Sequence, residues 1–587
     1  MKKRKKVKDI SIADNMRGVV INIFLAALFL ISAAYFSGCY LTGAAEKREK
    51  TDKRNSPAIT PKWAFGHIVW EDSINTQEAA MNLVSLYREH QIPVGGVIID
   101  SPWSMSYNDF NWDKNRYPEP DKMINSFRKE DVKVLLWLTG CVNKSSGDVP
   151  VQRSPDYDYV IEKGYVVNNG KPSKWWKGEG VHIDFTNPDA VKWWESKLDK
   201  VFTKGVYGFK VDQGEYYFAD SLSMLNAKKG QDDSYFGDTI TTSIGRISLR
   251  EFKRYYYDAM FDYVRSRKKA GITLARPFSH QGSFAASINK LGLGWSGDFR
   301  GDYEGLKLQI NNIYTSAKAG YGALACEVGG FYEARSTKKQ LIRYAQFGAM
   351  TSCMINGGQN GAFTNHLPWY HDDETTGIYR YYVALHYMFS PYMFSTVVDA
   401  HLYGGSMLKD VSFEQESHKI GNDIFFKAIT SDTGRVTFTL PAGDDWIDFW
   451  TDTKYEGGST VTKEYGLEQA PVFIRSGAII PLEIDNDITG IGDRSFAGKV
   501  VFLIYPDGKG HYIFHKPVDD GIKYNDIDVT CSGSSVSVRS SIEHSFIFLI
   551  KSNLIPGKVD GADNWKYDME NKRIKISKTG SRFTIFF

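Results

Sequence analysis

The sequence predicts an α/β fold, a (β/α)8 TIM barrel followed by two C-terminal β-sandwich domains, and three observations carry that expectation. From Trp63 to about Ser395, short apolar runs alternate with longer amphipathic segments, the pattern of parallel strands joined by crossover helices. Two of those runs, Gly208-Phe209-Lys210-Val211-Asp212 and Gly294-Trp295-Ser296-Gly297-Asp298, deliver a single Asp to their carboxyl ends, where barrels place their working groups. Past residue 400 the pattern changes to short alternating strands such as Arg435-Val436-Thr437-Phe438-Thr439-Leu440, closed by Pro441-Ala442-Gly443. At 587 residues the chain is too long for a single hydrophobic core.

Taken in chain order, Lys2, Lys3, Arg4, Lys5 and Lys6 precede an uncharged apolar stretch from Val19 to Phe36 and then Ser37-Gly38-Cys39. Small residues ahead of a Cys form a lipoprotein-type cleavage box, so residues 1–39 are expected to direct export, with lipidation at Cys39. The competing reading is an uncleaved anchor, since about 18 apolar residues is near the minimum for one span. Either reading tethers the protein to a membrane, in a periplasm or at the cell surface. Residues 40–61 are a polar tether.

The barrel is expected over residues 62–398, with strands at 64–70, 94–100, 132–138, 207–212, 272–276, 291–295 and 322–328, and an eighth within 348–355. Asn75 with Glu78 resembles a capping box, and Ala80, Leu83, Val84 and Tyr87 then share a helical face. Asn187 before Pro188 reads as a cap and first turn, continued by Val191, Trp194, Leu198 and Val201. The stretches 143–180 and 216–244 follow strand ends and are expected to be loop insertions on the catalytic face. A further change near 486–498 divides the β-rich remainder into domains at 399–490 and 491–587.

Composition narrows the function. Apolar residues make up 42% and charged residues 24%, a globular balance. Aromatic residues reach 14%, which suits either stacking on flat ligands or packing of large cores. The net charge is only +3, so nucleic acid is not an expected partner. Cys141, Cys326, Cys353 and Cys531 are widely spaced, without a CxxC pair, and read as buried thiols. With no metal-ligand cluster and no Gly-rich phosphate loop, neither a metal nor a cofactor is expected.

Several motifs then share one order. Asp100 after Val97-Ile98-Ile99, Trp137, Ile183-Asp184-Phe185-Thr186-Asn187-Pro188, Lys210-Val211-Asp212, Arg276-Pro277, Trp295-Ser296-Gly297-Asp298 and Val328-Gly329-Gly330-Phe331 resemble glycoside hydrolase family 31. The tail of Leu440-Pro441-Ala442-Gly443-Asp444-Asp445-Trp446, Gly457-Gly458 and residues 471–481 resembles it too. The resemblance implies a retaining α-glycosidase with Asp212 as nucleophile and Asp298 as acid/base. It also implies that Asp100 bonds hydroxyls of the terminal sugar and that Arg276 lies near the reacting ring. Trp137, Trp295 and Phe331 would supply ring faces to the sugar, or else pack the barrel.

The chemistry fits these residue types. Glycoside cleavage needs one carboxyl at the oxocarbenium-like carbon and another to protonate the leaving oxygen, about 5–5.5 Å apart in the retaining version. Lys210, two residues before Asp212, shares its side of the strand and favours the carboxylate, while desolvation by Trp295 would raise the pKa of Asp298. Glu215 is an alternative acid, Asp302 and Glu304 are alternatives to Asp298, and Asp184 reads as structural.

Departures from the family pattern bear on substrate. Lys210 stands where many α-glucosidases of the family carry Trp, as in members that act on α-xylosides. Glu327 replaces an Asp expected to partner Arg276. The Arg-Asn-His motif is replaced by Ile355-Asn356-Gly357-Gly358, and His366, in Asn365-His366-Leu367-Pro368-Trp369, is either a shifted substrate-binding imidazole or a structural one. Family members usually carry a β-sandwich before the barrel, whereas only the signal and tether are expected before Trp63, so the rim is expected to come from 143–180, with Trp175 and Trp176, or from a partner chain. The reading is an exo-acting hydrolase of non-reducing ends of oligosaccharides or glycoconjugates, with the sugar and the oligomeric state left open. Its rivals are a transglycosylase using the same intermediate, a non-catalytic carbohydrate-binding lipoprotein, and a barrel lyase or isomerase.

Overall fold

The computed structural model describes residues 56–212, 239–278, 284–332, 335–358 and 366–587. Residues 1–39 with Cys39, the tether up to residue 55, and Glu215 lie outside these.

Eight parallel strands close a barrel in chain order: β1 (His67–Glu71), β2 (Gly96–Ile99), β3 (Lys133–Leu138), β4 (Gly208–Val211), β5 (Ile272–Ala275), β6 (Leu293–Trp295), β7 (Leu324–Val328) and β8 (Cys353–Asn356). Their residues are buried on both faces, which is why they read as unbroken apolar runs. Gly208 permits the close approach of β4 to β5: a Cβ there would stand 1.9 Å from the Ile272 carbonyl oxygen.

Two local expectations need correction. The helix Gln77–Glu89 is capped by Thr76, which accepts from the Ala79 amide, and not by Asn75. Asn75 adopts a left-handed φ of 36° and donates to the Ser101 carbonyl at 2.7 Å, tying the loop after β1 to the loop after β2. Residues 348 and 349 end the helix Lys338–Ala349, so β8 starts later than expected. The capping box of Thr337 and Gln340 nucleates that helix, and Gly348 lets its last turn lie against Val328. By contrast, Asn187 accepts from the Asp189 and Ala190 amides, and Pro188 opens a helix reaching Phe202.

The stretch after β3 forms a three-stranded antiparallel sheet (Cys141–Ser145, Ser173–Trp175 and Gly178–His182) with a short helix, Tyr157–Glu162. It has its own small core of Tyr107, Trp137, Cys141, Val149 and Trp175. Of the insertion at 216–244, the described part is a hairpin, Thr239–Thr242 with Gly245–Ser248.

The boundary expected at 398 falls inside a 31-residue helix, Asp373–Tyr403, which ends at Gly404 with φ 85°. A six-stranded sheet and a two-stranded sheet follow, enclosing Phe425, Phe438, Leu440, Trp446, Val461 and Phe473. The boundary expected at 490 also moves, because Ile479–Leu482 pairs with Val500–Ile504 and the turn-rich 486–498 connects strands of one sheet. Seven strands make up this distal domain. Its long strands Ser535–Lys551 and Arg573–Phe586 shift register between Arg539 and His544, and the domain's core holds Phe502, Phe514, Val538, Phe546 and Phe548.

A loop of the distal domain touches the barrel at the end opposite the strand carboxyl termini. Lys62 and Trp63 donate their amides to the Gly521 and Asp520 carbonyls, and Lys133, at the start of β3, pairs with Asp520 at 3.0 Å. The carboxyl ends are left to carry the site. Among the described residues no helix is long and apolar enough to cross a membrane.

Candidate active site

The strand ends bring the expected acids onto one guanidinium. Asp212 follows β4, where its amide donates to the Leu138 carbonyl at 3.0 Å. One carboxylate oxygen accepts from the Trp137 indole N–H at 3.0 Å, and the other lies 3.5 Å from Nη2 of Arg276. The same Nη2 donates to Asp298 Oδ2 at 2.9 Å. Both carboxylates therefore lie against one guanidinium nitrogen. Gly297, at φ 97°, makes the turn that returns Asp298 to the barrel mouth.

Behind this pair lies a buried ammonium. Lys210 Nζ bonds Asp100 Oδ2 at 2.9 Å and sits 3.6 Å from the Trp70 ring centroid and 4.6 Å from that of Trp295. Asp100 Oδ1 in turn accepts from the Ser101 amide at 2.7 Å. Trp295 is gripped from another direction by Arg276, whose guanidinium carbon lies 4.1 Å from the ring centroid. Lys210 therefore shares a strand face with Asp212 as expected, but its direct partner is Asp100.

Burial raises the pKa of Asp298, although 21% of its side chain is exposed; Arg276 opposes the shift and the Asp212 charge reinforces it. Both the direction and the desolvation behind it agree with the expectation, and the Trp295 N–H itself points to Glu327 Oε2 at 3.2 Å. Glu327 is fully buried and pushed up to about 8, chiefly by desolvation, with Lys210 opposing. Burial would lower the Lys210 pKa, yet Asp100, Asp212, Glu327 and Asp298 together raise it.

The remaining expected residues divide. Phe331 stacks on Trp70, with centroids 5.5 Å apart and planes 13° from parallel. His366 is 1% exposed and packs against Gly329, where a Cβ would meet its Cγ at 2.5 Å. Burial holds its pKa down at about 3, so the ring is neutral, and neither nitrogen has a hydrogen-bond partner among the described residues. His366 thus lies behind the turn after β7, with its ring against Gly329. Asp184 accepts from the Thr186 amide and hydroxyl and from the Ser243 amide, a structural use. Asp302 caps the helix Tyr303–Lys318 and pairs with Arg300, and Glu304 is exposed beside Lys307, so neither replaces Asp298.

Sequence reasoning missed Trp70 and Asp72. Trp70 lies near the carboxyl end of β1 and Asp72 follows that strand, the same placement that singled out Asp212. Burial and the Asp100 charge push Asp72 up to about 8, against Lys210 and Lys177. Among the described residues no cluster of metal-ligating side chains occurs.

Residues 57–396 match the glycosyl hydrolases family 31 TIM-barrel domain, and residues 390–480 match the family's C-terminal domain. The chain belongs to glycosyl hydrolase family 31. Among curated family 31 relatives, alpha-glucosidase 2 of Bacillus thermoamyloliquefaciens is 24% identical over 486 residues, covering 79% of this chain and 60% of the relative. An isomaltosyltransferase of Sporosarcina globispora is 23% identical, covering 80% and 45%. The chain thus spans roughly half of these relatives' length. A solved cycloalternan-forming enzyme from Listeria monocytogenes, in complex with a pentasaccharide substrate, superposes with a TM-score of 0.76 at 20% identity, covering 92% of this chain and 56% of that one. A Flavobacterium johnsoniae dextranase gives a TM-score of 0.75 at 18% identity, covering 90% and 71%. At such identities these structures establish the common fold.

Proposed function

We propose that the protein is an exo-acting retaining α-glycosidase that works by double displacement. The observation that carries this reading is the single Arg276 nitrogen shared by Asp212 and Asp298. Asp212, accepting from the Trp137 indole and facing Arg276, is suited to attack the anomeric carbon as a carboxylate. The leaving oxygen takes its proton from Asp298, whose pKa is raised by burial, the direction a proton donor needs. A glycosyl–Asp212 ester forms. Asp298, now ionised, removes a proton from the incoming water, which attacks the same carbon and restores Asp212. Asp100, fixed by Lys210 and the Ser101 amide, is placed to accept hydroxyl hydrogens of the terminal sugar.

Transfer to a sugar acceptor uses the same ester. The isomaltosyltransferase and the cycloalternan-forming enzyme among the relatives favour this as a second reading. A panel of aryl α-glycosides tests the proposal: wild type should turn over at least one, and Asp212→Ala should lower kcat by about 10⁴-fold or more. Full turnover by that variant would remove Asp212 from the mechanism. We further propose that residues 1–39 export the chain and that Cys39 is lipidated; mass spectrometry of the mature amino terminus would reveal a diacylglycerol adduct, and an unmodified terminus upstream of Cys39 would refute it.

A further inference from the structure

Where β6 ends, a side chain takes its place beside β7. The two strands pair as far as Trp295 and Ala325. Glu327, two residues further along β7, has its backbone groups taken by Gln309, from the helix Tyr303–Lys318: its amide donates to Gln309 Oε1 at 2.7 Å, and its carbonyl accepts from Gln309 Nε2 at 3.1 Å. Gln309 is itself fully buried. A side-chain amide that bonds both backbone groups of one residue reproduces the pairing a neighbouring strand would give, and it fixes Glu327 in place.

From that anchored point the carboxyl reaches back to β6. Its Oε2 accepts the Trp295 indole N–H at 3.2 Å, and Oε1 has no hydrogen-bond partner among the described residues. The Trp295 ring is buried and carries two cations, with the Arg276 guanidinium carbon 4.1 Å and Lys210 Nζ 4.6 Å from its centroid. Arg276 is the group against which Asp212 and Asp298 both lie. An indole whose N–H is tied cannot rotate about its side-chain torsions without losing that bond, so the face it offers to the guanidinium is set by Glu327. Glu327 is fully buried, touches no substrate, and acts through the ring. Burial favours its neutral carboxyl, which still accepts the N–H while adding no further negative charge beside Asp298.

We propose that Glu327 is a positioning residue for glycoside cleavage: anchored by Gln309 and bonded to the Trp295 indole, it aims the Arg276 guanidinium at Asp212 and Asp298. This rests on the glycosidase reading above. It gives a use to a buried acid that the double displacement itself does not employ.

A double-mutant cycle tests the relay. Glu327→Leu, of similar volume but without an acceptor, is made in the wild type and in Trp295→Phe, which keeps an aromatic ring but has no N–H, and kcat is measured on an aryl α-glycoside. Glu327→Leu should lower kcat roughly ten- to a hundredfold in the wild type, the scale of a misaimed catalytic group, and less than about twofold in Trp295→Phe. Glu327→Gln offers a carbonyl to the indole and should keep kcat within about threefold of wild type, which reads the same bond without altering Trp295. No loss from Glu327→Leu, equal losses in both backgrounds, or a loss from Glu327→Gln as large as that from Glu327→Leu would overturn the relay and leave the glycosidase reading standing. A wild type that turns over no aryl α-glycoside would overturn that reading, and the relay with it.

Discussion

At the scale of single residues, the site is a set of buried charges whose partners are geometrically fixed. Trp137→Phe removes the N–H that Asp212 accepts. A hydrogen bond to a charged group contributes about 1.5–3 kcal/mol, so kcat should fall roughly 10- to 100-fold with the fold intact by circular dichroism. Glu327 supplies a pH signature. Its carboxyl is pushed up to about 8 in the folded chain, against an ordinary 4.5 when unfolded. The folded state therefore holds a proton that the unfolded state has lost, and this contribution is complete below about pH 4.5 and vanishes as pH rises through 8. Denaturant titrations at pH 5 and pH 8 should show wild type losing stability relative to Glu327→Gln as pH rises; parallel curves would contradict the assignment. Asp212, Asp298, Arg276 and Asp100 were legible in the sequence because each sits at a strand end inside an ordered motif. The partnerships were not, because which oxygen meets Lys210, or which acid takes the Trp295 N–H, is decided by neighbouring strands remote in sequence.

At the scale of elements, the turn after β7 holds Phe331 and His366 in place. Gly330 has φ 75°, and a Cβ there would stand 2.3 Å from the Arg300 carbonyl oxygen, a backbone atom that cannot swing aside. Gly330→Ala should displace Phe331 from Trp70 and lower both the melting temperature and kcat/KM, whereas Gly443→Ala, also at positive φ but with open space around it, should cost stability alone. Barrel strands were readable from apolar runs because helices cover their outer face, and the Asn187 cap was readable from its own side chain. Thr76 was not distinguished from Asn75, since the choice depends on Asn75 reaching Ser101 across a loop. Likewise the run at 348–355 is broken only by Thr351 and Ser352, and only the capping box upstream assigns its beginning to a helix.

At the scale of the whole molecule, the distal domain is fastened to the barrel's long helix through an imidazole. His515 Nδ1 meets Asp526 at 2.7 Å and Nε2 meets Asp399, on the helix, at 3.3 Å, with the Tyr524 ring 5.0 Å away. Burial lowers the His515 pKa, but the two carboxylates outweigh it and the net shift is upward. The resulting stability is fully present below about 6.5 and is lost as pH rises through the elevated value. His515→Gln should therefore destabilise the protein more at pH 6 than at pH 9, measured by thermal unfolding. The same architecture delivers Asp212 and Asp298 from two strand carboxyl ends to one guanidinium, and the account stands on their division of labour. The most direct measurement is mass spectrometry of the protein after reaction with 5-fluoro-α-glucosyl and 5-fluoro-α-xylosyl fluoride: the account predicts a glycosyl ester on the peptide carrying Asp212, and an ester on Asp298 or any other carboxylate would contradict it.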